Sequence, residues 1–277
     1  HRENFKIVLL ALFGAVMGQG VIWYTGQFYA QNFLETKCNI EFEQSRTIML
    51  WAIAFATPFF LFFGWLSDKI GRKWIMMVGM LLGILTYRPI FNTFLKQTDV
   101  ASWLEEEAPI AQGASSVKSE GIKNSDDSLV TITTNYSLAG GIEYTEIKTD
   151  TIFPAGASNN PASISTYKDK HLPSSTYWKF VGLVFLLILY VTMVYGPIAA
   201  FLVEMFPTKI RYTSMSLPYH IGNGVFGGLV PFIGLLLTTS YPSDQLVGLW
   251  YPIGIASLCL VIGIIYLSNK IDKDVTD

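Results

Sequence analysis

The sequence predicts an all-α membrane protein with six transmembrane helices in two groups of three. Of its 277 residues, 51% are hydrophobic and only 14% are charged, a balance typical of membrane proteins. Six apolar runs each extend over roughly 20 residues, the length needed to cross ~30 Å of hydrocarbon. A polar stretch separates the third run from the fourth. The six runs cover residues 7–30, 46–66, 74–94, 178–203, 213–239 and 247–267.

Basic residues indicate the side of the membrane on which each short loop lies, because Lys and Arg are retained in the cytoplasm. If the N-terminus is cytoplasmic, the short outer loops hold only Lys37 and Arg46 as bases. Both chain ends then lie in the cytoplasm, as an even number of spans requires. The bases of the inner segments are Arg2, Lys6, Lys69, Arg72, Lys73, Lys209, Arg211, Lys270 and Lys273.

The polar stretch at residues 95–175 forms an insert between two transmembrane segments, residues 1–94 and residues 176–277. The topology places this insert on the extracytoplasmic side. Within it, "SLVTITTNY" and "IEYTEIKTDTI" alternate β-branched or aromatic residues with polar ones around "SLAGG", which predicts a loose β-hairpin. A disordered, solvated loop is the open alternative, since two strands alone bury too little surface to be stable.

Composition and motifs argue against several classes of function. The chain has no Lys/Arg-rich stretch, so we expect no nucleic-acid partner. It has three histidines, no G-x-S-x-G and no phosphate-binding glycine loop that ends in Lys-Ser or Lys-Thr. No clustered metal ligands stand out in the sequence. We therefore expect neither an enzyme nor a bound metal or cofactor.

Charged residues crowd into the short turn "GWLSDKIGRK" between the second and third apolar runs. Arg72 and Lys73 follow the rule that bases stay in the cytoplasm. Asp68 is not explained by topology, because an acid among bases suggests a helix-terminal anion or an ion-pair partner that separates when helices move. A charged turn that only fixes orientation is the simpler alternative.

The pattern G, x, L, S, D, K, x, G, R, K in this turn resembles the inter-helix signature of the major facilitator superfamily. In that superfamily it lies between the second and third helices of each six-helix half. It occupies the same place here, between the second and third apolar runs. The chain is therefore similar to one half of such a transporter, although the insert at 95–175 is far longer than the loop usual there.

A second stretch, "FLVEMFPTKIRYTSMSLPYHIGNGVFGGLVPFI" at residues 201–233, resembles the segment that joins helices ten and eleven in the metabolite:proton symporter family. The resemblance implies that the six spans are helices seven to twelve and that an N-terminal six-helix half is absent from this chain. The matching residues are Glu204, Phe206, Pro207, Thr208, Lys209, Arg211, Tyr212 and Thr213.

The same resemblance implies a cytoplasmic charge cluster. Pro207 stops the helix just after Glu204, because proline lacks the amide donor and clashes with the preceding turn. Glu204 would then pair with Arg72, and with Arg211 as a further member, to close the cytoplasmic side in the outward-open state. Asp68 would face the absent half.

Substrate in such folds binds near the bilayer midplane, so polar side chains at that depth are the candidates. In the first run, Gln19, Trp23 and Gln27 recur every four residues and share one face of a helix. This face would line a cavity or contact another helix, because buried polar groups are costly in lipid. Hydrogen bonding between helices, with Trp23 as packing, is the alternative.

In the fifth run, Ser216, His220 and Asn223 lie on one stripe, with Tyr219 beside them. His220 is the histidine that falls inside a predicted span. Its imidazole is a candidate to bind a carboxylate or to carry a coupling proton. A neutral histidine that is hydrogen-bonded to a neighbouring helix is the alternative.

The resemblance implies secondary transport of a small organic metabolite into a bacterial cell, driven by proton symport and alternating access. Members of that family carry organic acids such as α-ketoglutarate or citrate, or zwitterions such as proline and betaine. The expected partners are the substrate, a proton, the inner-membrane lipid bilayer and the absent half. A six-helix scaffold or receptor whose outward insert binds a partner is the alternative from a different class.

Overall fold

The computed structural model describes residues 2–106, 108–121, 128–152, 163–207 and 211–269. Six helices in this part of the chain are long and apolar enough to cross a membrane, which confirms the predicted fold class. Thr208, Lys209 and the expected cytoplasmic tail from Lys270 onward lie outside the described residues. Numbered as the first to sixth spans, the helices are Phe5–Thr36, Phe42–Ile70, Arg72–Gln97, Ser174–Met205, Arg211–Ser240 and Val247–Tyr266.

Three of the spans, the first, fifth and sixth, change helix type along their length. A π-helical turn uses an extra residue per hydrogen-bonded ring and often marks a functional region. The first span contains α-helical segments at Arg2–Ala11, Met17–Tyr24 and Ala30–Thr36, with π-helical turns at Leu12–Val16 and Thr25–Tyr29. The fifth span contains α-helical segments at Arg211–Ile221 and Leu229–Ser240, with a π-helical turn at Gly222–Gly227 between them. The sixth span begins with a 3₁₀ turn at Val247–Leu249 and continues as the α-helix Trp250–Tyr266.

The chain divides into two compact units. The helical unit consists of His1–Phe33, Ile48–Thr93 and Phe180–Asp277. The sheet unit consists of Leu34–Thr47 and Phe94–Lys179, so it combines most of the predicted insert with the loop between the first and second spans.

Glycines allow the first and fifth spans of the helical unit to touch through their backbones. A Cβ atom on Gly20 would collide with the carbonyl oxygen of Gly222. A Cβ atom on Gly222 would lie 2.6 Å from the Val16 side chain and 2.9 Å from the Val16 carbonyl oxygen. Since real side chains do not tolerate such distances, any larger residue at either glycine would force the two helices apart.

The sheet unit contains an antiparallel sheet and a short helix, Val100–Glu106. The two segments that predict a hairpin form β3 and β4, joined by Ala139–Gly141, where Gly140 and Gly141 have positive φ angles. Three further strands, β1, β2 and β5, are not predicted by the sequence pattern. β1 and β2 pair with β3, and β5 pairs with β4. The strands are Ile110–Ala111, Ser116–Gly121, Ser128–Leu138, Ile142–Ile152 and Ser163–His171.

Aromatic side chains form the core of the sheet unit. Tyr144 is buried on β4, and its ring centroid lies 5.5 Å from that of Tyr136 and 5.7 Å from that of Tyr167. Burial raises the pKa of Tyr144 to about 12, and the nearby Glu146 carboxylate acts in the same direction. The hairpin is therefore not loose, because strands on both sides and an aromatic layer support it.

Lys170 fastens β5 to the loop that precedes the second span. Its backbone amide donates to the Asn39 carbonyl at 2.9 Å, and its carbonyl accepts from the Glu41 amide at 2.9 Å. Its buried ammonium group donates to the Thr98 carbonyl at 2.6 Å. Burial lowers the pKa of Lys170, because the charged form loses hydration.

Candidate functional site

A charge cluster at one end of the helical unit is formed by Asp68, Arg72 and Glu204. The Arg72 guanidinium lies 3.0 Å from the Asp68 carboxylate through Nη1 and 2.9 Å from the Glu204 carboxylate through Nη2. The side chains of Arg72 and Glu204 are 17% and 22% exposed, whereas that of Asp68 is 64% exposed. Arg72 thus joins acids from the second and fourth spans, and its contact with Glu204 is the more sheltered one.

The local backbone explains how Arg72 reaches both acids. Gly71 separates the second span from the third and has φ +97°, a left-handed conformation that side chains disfavour. Arg72 begins the third span directly after this glycine, four positions after Asp68 and within reach of its carboxylate. The fourth span ends at Met205, just before Pro207, and this end places Glu204 beside the turn.

Lys73 adds a contact that the sequence pattern does not predict. Its buried ammonium group donates to the carbonyl oxygens of Ile264 and Leu267, both at 2.8 Å. These carbonyls end the sixth span, where helices leave acceptors without partners. The charged turn therefore also contacts the end of the sixth span, in addition to the second, third and fourth spans.

Arg211, the further member of the predicted cluster, lies at the start of the fifth span. Its Nε donates to the Phe206 carbonyl at 3.1 Å. That contact satisfies an acceptor in the segment after the fourth span, so Arg211 supports the backbone that carries Glu204.

Gln19 and Asn223 form a reciprocal amide pair between the first and fifth spans. Gln19 Nε2 donates to Asn223 Oδ1 at 3.0 Å, and Asn223 Nδ2 donates to Gln19 Oε1 at 3.1 Å. Asn223 Nδ2 also lies 3.0 Å from the Tyr219 carbonyl. Both side chains are buried. The pair therefore satisfies two polar groups that would be costly to bury alone.

Trp23, Gln27 and Tyr219 come together on an aromatic surface. Trp23 Nε1 donates to Gln27 Oε1 at 2.8 Å. The Trp23 ring lies 5.4 Å from the ring of Tyr195 on the fourth span, and the hydroxyls of Tyr195 and Tyr219 are hydrogen-bonded. Three spans thus present polar groups on a partly exposed aromatic surface.

The structure separates Asn223 from the other residues of the predicted stripe on the fifth span, Ser216 and His220. His220 Nδ1 lies 2.8 Å from the Ser216 carbonyl oxygen and 3.2 Å from the Ser216 hydroxyl oxygen. The His220 side chain is exposed, whereas Asn223 faces the first span. Ser216 and His220 therefore form one group, and Asn223 belongs with Gln19.

Arg88 is a charged residue inside the third apolar run, and the spacing arguments do not single it out. Its guanidinium lies 3.3 Å from Asp244 and 4.9 Å from the centre of the Trp250 ring. A base inside an apolar run is a signal that sequence reasoning can use. Its partners lie 156 residues or more away along the chain, so only the structure identifies them.

The described residues contain no group of three or more His, Cys, Asp or Glu side chains placed to hold a metal ion. The site consists instead of ion pairs, amides and aromatic rings. Such groups bind, orient and release a small molecule, or separate when helices move.

Stretches of the chain are similar to curated transport proteins. A Haemophilus influenzae protein whose name describes metabolite transport is 34% identical over 112 residues, which are 40% of this chain and 23% of that relative. Part of this chain is therefore similar to proteins named for metabolite transport. The inner membrane metabolite transport protein YhjE of Escherichia coli is 37% identical over 49 residues, 18% of this chain and 11% of YhjE. The matched stretches therefore span less than a quarter of either relative.

These matches confirm the resemblance to metabolite transporters, and the six apolar helices fit one half of a membrane transporter. Both relatives are named for transport rather than catalysis, in agreement with the expectation that the chain is not an enzyme. No protein-family model matches the chain. No solved structure matches it either.

We predict that Gln19 and Asn223 are energetically coupled. Gln19→Leu and Asn223→Leu should each destabilise the protein, because each leaves a buried amide without its partner. The double variant should recover part of the loss, with a coupling energy of about 0.6–1.7 kcal/mol. A double-mutant cycle on unfolding in detergent measures it. The control combines Gln19→Leu with Thr57→Val, at an exposed residue of the second span, and their effects on the free energy of unfolding should add. Additive effects of Gln19→Leu and Asn223→Leu would contradict the pairing.

Proposed function

We propose that this chain is the C-terminal half, helices seven to twelve, of a major facilitator superfamily transporter of the metabolite:proton symporter type. It moves a small organic acid or zwitterion across the inner membrane of a bacterium by alternating access, together with a proton. Both chain ends lie in the cytoplasm and the insert lies outside. The names of the two relatives and the six apolar spans support the proposal.

The observation that carries this proposal is the bridge from Arg72 to Glu204. Hydrogen bonds between charged groups contribute about 1.5–3 kcal/mol, enough to shift a conformational equilibrium tenfold or more. The pair is only partly buried, so it can separate and become hydrated when the helix ends move apart. We assign it to the closed cytoplasmic side of the outward-open state, with Arg211 supporting the Glu204 segment and Asp68 facing the N-terminal half.

The substrate region in this proposal is the aromatic surface of the first, fourth and fifth spans. Trp23, Gln27 and Tyr219 offer ring faces, an amide and a hydroxyl to a small molecule. The Gln19–Asn223 pair fixes the two helices that carry them. Ser216 and His220 form the proton pathway, because the His220 imidazole is exposed within a span and contacts the Ser216 carbonyl and hydroxyl.

We expect neutral variants of the charge cluster to slow transport without abolishing substrate binding. In the transporter that includes both halves, Arg72→Gln and Glu204→Gln should each lower the uptake rate about tenfold or more. Asp68→Asn should act in the same direction, because it removes the second negative charge that pairs with Arg72. Substrate affinity should change by less than about twofold, since the ion pairs that these variants remove lie within the charge cluster.

The control for these variants is Lys69→Gln, which removes a charge from the same turn but leaves Arg72 paired. Lys69 stacks on Trp65, with its Nζ 4.0 Å from the ring centre. Uptake of labelled substrate into proteoliposomes and equilibrium binding are the two measurements. Equal uptake by Arg72→Gln, Glu204→Gln and the control would show that the bridge has no role in state exchange.

His220→Ala should uncouple substrate movement from protons. Uptake by the variant should lose the pH dependence of the parent protein, whereas exchange of labelled for unlabelled substrate should persist. His171→Ala, a histidine of the sheet unit, is the matched control. A variant at His220 with the pH profile of the parent protein would exclude the proton role.

A further inference from the structure

A groove of about 480 Å³ lies within the sheet unit. Neither the transport proposal nor the sequence motifs assign it a role. Its lining combines amide, hydroxyl and ammonium groups and includes no acid. The lining residues are Asn39, Ser165, Thr166, Tyr167, Lys168 and Lys170.

The lining shows that this groove runs along the edge of a strand. Four lining residues, Ser165 to Lys168, are consecutive in β5. Consecutive side chains of a strand point to opposite faces of the sheet, so a groove on one face would contact only every second residue. A groove that contacts all four therefore follows the free edge of β5. β4 pairs with the opposite edge.

In the part of the chain that the structure describes, the free edge is paired at its end. Ile40 pairs with Lys170 in parallel orientation, through the backbone bonds of Lys170 to Asn39 and Glu41. Asn39 and Asp169 have φ angles of 54° and 48°, values that interrupt an extended chain. These turns stop the parallel pairing at Lys170. Among the described residues, no strand pairs with this edge from Ser163 to Lys168.

The chemistry of the groove suits an extended polypeptide. The edge offers the backbone donors and acceptors of a sheet, and the half-buried Asn39 carboxamide offers both a donor and an acceptor. Lys168 is exposed, whereas the Lys170 ammonium group is committed to the Thr98 carbonyl. A strand bound along Ser163–Lys168 thus meets the accessible positive charge of Lys168 and no acid in the groove lining, and the exposed Asp169 lies just beyond this stretch. A second copy of β5 would bring an exposed Lys168 and an exposed Asp169 side by side, so it offers no net negative charge to Lys168, whereas an acidic strand does.

We propose that this edge groove binds an extended, acidic polypeptide segment that adds a strand to β5. Backbone pairing along Ser163–Lys168, about 20 Å of strand, supplies most of the affinity. Lys168 selects a carboxylate on the bound strand, and Asn39 binds the backbone at the closed end of the groove. The inference is independent of transport, because it involves residues of the sheet unit alone.

The test uses the full chain in detergent and a fluorescein-labelled decapeptide of alternating Thr and Glu. Fluorescence anisotropy should show saturable binding. Lys168→Glu should weaken it about tenfold, because attraction becomes repulsion. Lys118→Glu is the matched control, an exposed lysine on β2 at the other edge of the sheet. It should change affinity by less than about twofold.

Two further peptides separate strand pairing from simple charge attraction. The same peptide with alternate backbone nitrogens methylated keeps its carboxylates but cannot pair as a strand, and it should not bind. An alternating Thr and Lys peptide should bind at least about tenfold more weakly than the acidic one. Absence of binding up to millimolar acidic peptide, equal binding of the methylated peptide, or equal effects of Lys168→Glu and Lys118→Glu would each overturn the proposal. The experiment with the methylated peptide uses the unaltered protein, so its result does not depend on whether a substituted protein folds.

Discussion

The guanidinium of Arg72 is the group on which the charged end of the helical unit depends. It bridges Asp68 on the second span and Glu204 on the fourth, while the adjacent Lys73 holds the last carbonyls of the sixth. Charged groups at a helix end cost little free energy only while water or opposite charges surround them. Four helix ends therefore meet at a turn of one glycine, and their arrangement depends on how these charges are satisfied.

Away from this end, the helical unit relies on close packing and a few satisfied polar pairs. Gly20 and Gly222 bring two backbones into contact, and Gln19 and Asn223 exchange hydrogen bonds beside that contact. The contact and the amide pair fix the first span against the fifth. The π-helical turns at Thr25–Tyr29 and Gly222–Gly227 carry Gln27 and Asn223, so polar groups lie where the helix geometry departs from the ordinary α-helix.

Much of the fold follows from the sequence, because its strongest constraint is local. Hydropathy identifies all six spans, since in hydrocarbon only a helix satisfies every backbone group within a single segment. Alternation identifies the segments that form β3 and β4. β1 has two residues and β5 has little apolar alternation, so neither gives a periodic signal.

The site is less accessible to sequence reasoning, because its contacts join distant residues. Periodicity groups His220 with Asn223, but the π-helical turn that begins at Gly222 breaks the 3.6-residue repeat, and the two side chains have different surroundings. The partners of Lys73 lie 191 and 194 residues away, and no local pattern encodes them. The pairing of Arg72 with Glu204 was expected from family resemblance rather than from spacing.

The most direct test of the central claim is the distance between the ends of the second and fourth spans. Double electron–electron resonance measures this distance between spin labels at Ile70→Cys and Ala199→Cys in the transporter with both halves. Both positions are exposed, whereas the native Cys38 and Cys259 are buried. We predict one short distance without substrate and a second, longer distance when Arg72→Gln is added. An unchanged distance distribution in the Arg72→Gln protein would contradict the claim that this guanidinium holds the cytoplasmic side closed.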